Sequence, residues 1–362
     1  MISNQILQST IDGMKNIARV DFSVLDSEGK EVATTQENPS SYREEASLFA
    51  KSPADSQEIK GSQFFKIFDD NLVEYILVVT GTGDDTHLIG KMAALQIQNL
   101  TVAYKERFDK DNFIKNLLLD NLLLIDIYSR AKKLHIETDE PRIVMILECN
   151  NPKDINVLET TRSFYSGNNV DFVTAVDERD IIIVKNLSEG STNKDIVKGA
   201  GALLSYLKQE GLYNIRISYG TIVPEIKEVS RSFKEAKMAM DVGKIFFEDR
   251  ELIAYAELGI GRLIYQLPLP LCKMFIKEIF QDRSPENFDE ETLTTISKFF
   301  ENSLNVSETS RQLFIHRNTL VYRLDKLQKA TGLDLRVFED AITFHIALMV
   351  VKYMKYMESF EF

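Results

Sequence analysis

The 362-residue sequence has no tryptophan, two cysteines and four histidines, and each shortage excludes a kind of chemistry. Cys149 and Cys272 stand far apart, with no C-x-x-C spacing and no cysteine–histidine cluster, so neither a disulfide framework nor a zinc site is expected. Both read as buried thiols in a reducing compartment. His87, His135 and His345 are isolated and read as structural. There is no P-loop, no G-x-S-x-G and no histidine pair at metal-ligand spacing. No metal and no cofactor are expected. No run approaches about 18 uninterrupted apolar residues, so no membrane span is expected. The opening MISNQILQSTIDGMKNIARV is amphipathic and lacks the apolar core of a secretion signal. The expectation is a soluble, cytoplasmic protein. Positive charge is also scarce, 43 Lys and Arg against 55 Asp and Glu for a net −12. Bulk electrostatics therefore repel nucleic acid, and any DNA contact has to come from a local patch.

The length predicts two or three domains, and the pattern predicts a multidomain α+β chain. A helical stretch (Ile6, Leu7, Ile11, Met14, Ile17) leads into a hairpin over VDFSVLDSEGKEVATT, with Phe22 and Val24 on one face and turn residues at Asp26–Gly29. A helix follows Pro39, and FFKIFDD and VEYILVVTG read as two strands around Asp70–Asn71. From about His87 to His135 nearly everything is helix-compatible. Leu88, Met92, Leu95, Asn99 and Val102 fall close to a heptad stripe. Two readings stay open there: a connecting, dimerising helical segment, or two ordinary helices packed on neighbouring domains. Residues 142–250 form a second α+β unit, with RIVMILEC a buried strand, DFVTAV and DIIIVKNL a hairpin, a helix ending at Gly211, the strand NIRISYGTIV, and a helix with Val229, Phe233, Ala236 and Met240 on one face. From about Gly259 the chain is helical, broken at Pro268, Pro270 and Pro285.

One stretch reverses the sign of the charge. Residues 303–332 hold five basic side chains (Arg311, Arg317, Arg323, Lys326, Lys329) against Glu308 and Asp325, a local +3. Asn305 is a suitable N-cap with Glu308 placed to complete a capping box. A short helix to about Leu313, a turn at Phe314–His316 and a helix from Arg317 to Gly332 make a helix-turn-helix. Leu320, Leu324 and Leu327 form its buried stripe. His316, Arg317, Asn318, Thr319, Tyr322, Arg323 and Lys326 are the candidate DNA contacts. Arg and Asn have bidentate matches to guanine and adenine, His316 stands as N-cap or phosphate contact, and the first amides can face a phosphate. A solvated helical hairpin is the other reading of the same pattern.

SETSRQLFIHRNTLVYRLDKLQKATGLDL resembles the C-terminal helix-turn-helix of the PucR/CdaR group of bacterial transcription regulators, the sugar-diacid regulators. The resemblance rests on Asn305, Ile315-His316-Arg317-Asn318-Thr319-Leu320, Tyr322-Arg323-Leu324 and Thr331-Gly332-Leu333-Asp334-Leu335. It continues into VFEDAITFHIALMVVKYM; Ser310 and Arg311 stand where the family often has Thr-Ala. ISYGTIVPEIKEVSRSFKEAKMAM and AYAELGIGRLIYQL resemble the end and exit of the family's GGDEF-like domain. VLDSEGKEVATT and ILVVTGTGDD resemble, more loosely, its diacid-recognition domain. The implied layout is a sensor domain (1–105), a helical connector (106–140), a degenerate GGDEF-like domain (141–258) and a helical domain with the helix-turn-helix (259–362, motif 305–332). The implied partners are operator double-stranded DNA, a small effector such as a carboxylate, and a second copy of the chain in a homodimer or higher oligomer.

Active members of the GGDEF class carry a Gly-Gly-Asp/Glu-Glu-Phe hairpin. The matching AVDERDIII keeps Asp177, Glu178 and Asp180 without the glycines, and Glu148 and Asn150 stand where metal-binding aspartates are expected. Two divalent ions need convergent carboxylates, so no catalysis is expected. A scaffold protein is the second reading of the whole chain and a nucleotide-cyclase-like enzyme the third. For the effector, the candidates are Arg43, Lys66, Thr80, Gly81, Thr82 and Gly83, because glycines let amides turn toward an anion. An ordinary strand-ending loop is the other reading. After Pro39 this chain has SSYREEA, with Arg43 and Glu45 in place of the His and Gly of the family's His-Glu-Gly-Ala run. A diacid, another ligand or none therefore all remain open.

Overall fold

A computed structural model of the chain describes residues 2–37, 42–83, 85–149, 156–166, 172–176, 180–280 and 288–359. The structure divides into two units, Met1–Ile114 and Lys115–Phe362. The α+β multidomain class expected from the pattern is what the chain adopts.

The first unit opens with α1 (Asn4–Ala18), then β1 (Asp21–Asp26) and β2 (Glu31–Thr34), α2 (Arg43–Ala50), and β3 (Ser56–Ile59), β4 (Ser62–Asp69) and β5 (Leu72–Thr80). The strands form an antiparallel sheet in the order β2-β1-β5-β4-β3. Alternation decides the two faces. Phe22 and Val24 of β1 pack with Leu7 and Ile11 of α1 on one side. Leu25, Phe64, Ile76 and Val78 face α2, through Ala46 and Phe49, on the other. The strand β3 was not expected. Its sequence, SQEI, lies at the sheet edge almost fully exposed, so it carries no apolar alternation to read.

The helix-compatible stretch resolves into a long helix, α3 (Thr86–Leu118), and a short one, α4 (Leu124–Lys133). The break falls at Asp120, which takes a left-handed φ of 62° and accepts hydrogen bonds from Ser230 Oγ (3.2 Å) and Lys234 Nζ (2.7 Å).

In the second unit β6 (Arg142–Cys149) is central, in a sheet ordered β10-β9-β6-β8-β7 with β7 (Phe172–Ala175), β8 (Asp180–Asn186), β9 (Ile215–Tyr219) and β10 (Leu252–Ala254). The helix α5 (Val157–Phe164) and the strand β10 were not anticipated; both are short, and β10 joins the sheet through a parallel pairing to β9 that no local pattern encodes. The helix α6 (Asn193–Gln209) covers one face through Ile196, Leu203 and Leu207. The helix α7 (Val229–Phe246) covers the other so closely that a Cβ on Gly220 would lie 2.1 Å from the Ser232 carbonyl oxygen.

The C-terminal region continues with α8 (Ile260–Tyr265), α9 (Leu269–Phe280), α10 (Glu290–Glu301), α11 (Val306–Gln312), α12 (Arg317–Thr331) and α13 (Phe338–Glu358). Pro268 precedes α9 and its carbonyl accepts from Leu271 and Cys272. Pro270 does not break the chain as expected, because it occupies the first helical turn, where a missing N–H costs nothing. Pro285 lies outside the described residues. Cys149 and Cys272 are both unbridged; Cys272 is buried, and burial pushes its thiol upward. His345 packs on the Phe300 ring at 4.7 Å, and burial lowers its pKa. Among the described residues no helix is long and apolar enough to cross a membrane, and no group of acids, His and Cys could hold a metal ion.

Candidate nucleic-acid interface

The short helix α11 starts at Asn305, whose side chain accepts from the backbone N–H of Ser307 (3.0 Å) and Glu308 (3.1 Å). The second half of the expected capping box is not formed. Glu308 turns along the helix to Arg311 (2.6 Å) and Gln312 (3.1 Å), and the Arg311 pairing first, then Gln312, holds its carboxyl below the usual range. A left-handed Phe314 (φ 54°) closes the helix, with Ile315 N–H donating to the Ser310 carbonyl. His316 then caps α12: its Nδ1 accepts from Asn318 N–H at 3.2 Å, and its carbonyl accepts from Thr319 and Leu320. Two of the amides expected to face a phosphate are thus already engaged inside the turn.

Leu320, Leu324 and Leu327 are 0–2% exposed and lock α12 onto Ile296 and Phe299 of α10 and Phe344 and Ala347 of α13. Gly332 ends the helix at φ 80°, its N–H donating to the Gln328 carbonyl (2.7 Å). With one face fixed inward, His316, Arg317, Asn318, Thr319, Tyr322 and Lys326 are all exposed on the other. Arg323 stands apart from these six. Its guanidinium donates to Thr295 Oγ1 (3.0 Å), itself fully buried, and to Glu291, so it ties α12 to α10. That partner lies 32 residues earlier and could not be read from helical spacing. Two exposed residues outside the candidate set lie alongside: Phe314, 96% exposed in the turn, and Arg311 on α11. An apolar residue off the 320/324/327 stripe was the available signal for Phe314.

A model of the PucR C-terminal helix-turn-helix domain matches residues 292–350, and a model of the GGDEF-like domain matches residues 122–242. This chain is 26% identical to the carbohydrate diacid regulator of Escherichia coli (strain K12) over 240 residues, covering 61% of this chain and 60% of that one. It is 26% identical to the purine catabolism regulatory protein of Bacillus subtilis (strain 168) over 155 residues, 41% of this chain and 29% of that one. The DNA-binding transcriptional activator AdeR of the same organism is 26% identical over 194 residues, 52% of this chain and 44% of that one.

The chain thus carries a PucR-type C-terminal helix-turn-helix domain and a GGDEF-like domain. It spans no more than about 60% of the length of these three relatives.

Of the acids expected in the GGDEF-like domain, Glu148 and Asp180 lie among the described residues. Glu148, at the end of β6, forms an ion pair with Lys244 of α7, with side chains 11% and 27% exposed. Asp180 opens β8 and pairs with Glu148 across the sheet as a register neighbour. Asp177, Glu178 and Asn150 lie outside the described residues.

The effector candidates are spread over the first unit. Lys66 on β4, Thr80 at the end of β5 and Arg43 at the start of α2 belong to the α2 side of the sheet. Lys66 Nζ donates to the Ser52 carbonyl and stands 5.1 Å from the Phe49 ring centre; Arg43 is exposed. Gly81 is needed for close approach, since a Cβ there would meet Thr86 Oγ1 and Val20 at 2.9 Å. Thr82 and Gly83 are exposed, and the Gly83 carbonyl accepts from Thr86 N–H and Oγ1, which starts α3. Sequence reasoning missed the hydroxyl cluster around Thr80: Tyr42 Oη at 3.2 Å, Ser62 Oγ at 3.3 Å and Gln36 Nε2 at 3.2 Å. Its members come from four separate segments, so no local motif joins them.

Proposed function

We propose that this chain is a ligand-responsive, DNA-binding transcriptional regulator acting in the cytoplasm. The observation that carries the proposal is the exposed polar face at the start of α12, held outward by three buried leucines. Arg317 and Asn318 are the base readers, with Thr319, Tyr322, His316 and Lys326 on phosphate or adjoining bases. Arg323 is a positioning residue that sets α12 against α10. Phe314 adds an apolar contact of the kind a thymine methyl accepts, and Arg311 a phosphate contact from the first helix.

The proposed layout is a sensor domain (1–105), connector (106–140), GGDEF-like domain (141–258) and helical output domain (259–362). The sensor takes a small organic acid or sugar-derived metabolite on the α2 side of its sheet, with Arg43, Lys66 and Thr80 and the hydroxyls around Thr80 as its candidate contacts and Gly81–Gly83 following Thr80 in the chain. The GGDEF-like domain is structural: Lys244 neutralises the one described carboxylate on β6 at the place a metal would need it. Because one helix-turn-helix reads a half-site, two copies read half-sites about one helical turn apart. The effector acts by preferring one arrangement of the two readers.

Titration of the chain against its own upstream DNA, at several salt concentrations and with scrambled DNA alongside, tests this reading. A regulator shows sequence preference and a falling log K with log salt. Equal affinity for both DNAs, or none, removes it.

A further inference from the structure

The helix α3 is apolar on two faces. One face seats on the sheet of the first unit: Ala93 and Ile97 are buried there, a Cβ on Gly90 would lie 2.3 Å from the Phe65 ring, and Gln98 bonds both the N–H and the carbonyl of Phe68. The other face carries Leu88, Met92, Leu95 and Val102, which are 59%, 66%, 62% and 57% exposed, with Asn99 exposed among them. Single exposed apolar residues need no explanation, but four in a row at spacings of four, three and seven on one helix do.

We propose that this stripe is the surface on which a second copy of the chain packs, α3 against α3, parallel and in register. It gives the dimer proposed above an interface but does not depend on DNA binding. With Leu88, Leu95 and Val102 at d positions, Met92 and Asn99 fall at a, an unbroken seam from residue 88 to 102. That seam runs about 21 Å along the helix.

The occupant follows from Asn99. An asparagine at an a position is a poor contact for an apolar partner, but it pairs with its own copy across a parallel two-fold seam and fixes register there. An antiparallel pairing centred on the stripe would set Asn99 against Lys91 and Met92 and leave its amide unmatched. The flanking positions agree. In the parallel register Lys91 lies across from Gln96, and Gln98 across from Ala103, so no like charges face each other. A seam of about two heptads is too short to fold unaided. Here the helix is already anchored on its sheet, so pairing does not carry the cost of forming it.

Sedimentation equilibrium of the full chain without DNA, combined with cysteine crosslinking, tests the interface. The wild type sediments as a dimer at micromolar concentration. Met92→Glu with Leu95→Glu raises its dissociation constant by at least about a hundred-fold, because four carboxylates would have to be buried. The double variant keeps its circular dichroism, since neither side chain is in the core, and its melting temperature falls only as far as loss of the dimer requires. Leu95→Cys, with Cys149→Ser to remove the half-exposed native thiol, crosslinks to its own copy under mild oxidation. Glu28→Cys in the β1–β2 turn does not. Asn99→Leu keeps the association but admits species larger than the dimer.

A wild-type monomer at tens of micromolar, a double variant that stays dimeric, or equal crosslinking at residues 28 and 95 would each overturn the proposal. Those results would assign the stripe to another part of the chain or to a foreign protein. Loss of DNA recognition with the dimer intact would instead overturn only the regulator reading.

Discussion

The start of α12 and the end of β6 both present charged side chains where a family resemblance expects function, and they are built in opposite ways. On α12, Arg317, Asn318 and Thr319 are exposed above a fully buried leucine stripe, and the exposed Lys326 makes only a long 3.9 Å pairing with Asp289. At the end of β6, Glu148 is closed off by Lys244 from the helix packed behind it. The first arrangement leaves hydrogen-bonding capacity for an outside partner. The second satisfies it internally, as a scaffold does. The same distinction works within α12, where Arg323 is committed to Thr295 and Glu291 while Arg317, six residues earlier, is not buried against another helix.

The contrast can be broken most severely from beneath. Leu324→Ala removes a fully buried side chain from the centre of the helical cluster and is expected to cost about 2–5 kcal/mol. Thermal unfolding should fall accordingly, and DNA binding should be lost with the fold rather than selectively. Lys244→Met leaves Glu148 without its cation and should cost about 1–3 kcal/mol, read by denaturant unfolding, with DNA affinity unchanged. If DNA affinity fell with it, the two regions would not be independent.

Two finer changes sharpen the comparison. Asn305→Ala removes the cap of α11 and should lower stability by about 0.5–2 kcal/mol, with recognition of the operator kept once the protein is folded. Arg323→Met and Lys326→Ala should separate by salt: the lysine variant loses about one unit of the salt slope, whereas the arginine variant lowers the melting temperature and leaves the slope as it was. Equal slopes in both would return Arg323 to the DNA-contacting set.

Much of this architecture was legible because it follows local rules. The 320/324/327 spacing and the alternation in β1 each determine a face from neighbours a few residues away, and the continuous apolar run of β6 marks a strand buried on both faces. What was not legible depends on residues distant in sequence. The edge strand β3 is polar and exists through pairing with β4; β10 exists through β9; Arg323 is held by α10. Glu308 had two compatible local partners, and helical spacing alone does not choose between the Asn305 amide and Arg311. The hydroxyl cluster at Thr80 draws on residues 36, 42, 62 and 80, brought together only by the sheet.

Arg317→Ala tests most directly whether the N-terminal turn of α12 reads bases. Binding of wild type and variant to upstream DNA and to scrambled DNA is compared at matched salt by fluorescence anisotropy. A loss of about 1–3 kcal/mol on the upstream DNA and a narrowed gap between the two DNAs are expected. Unchanged affinity and an unchanged gap, in a variant that melts like the wild type, would contradict it.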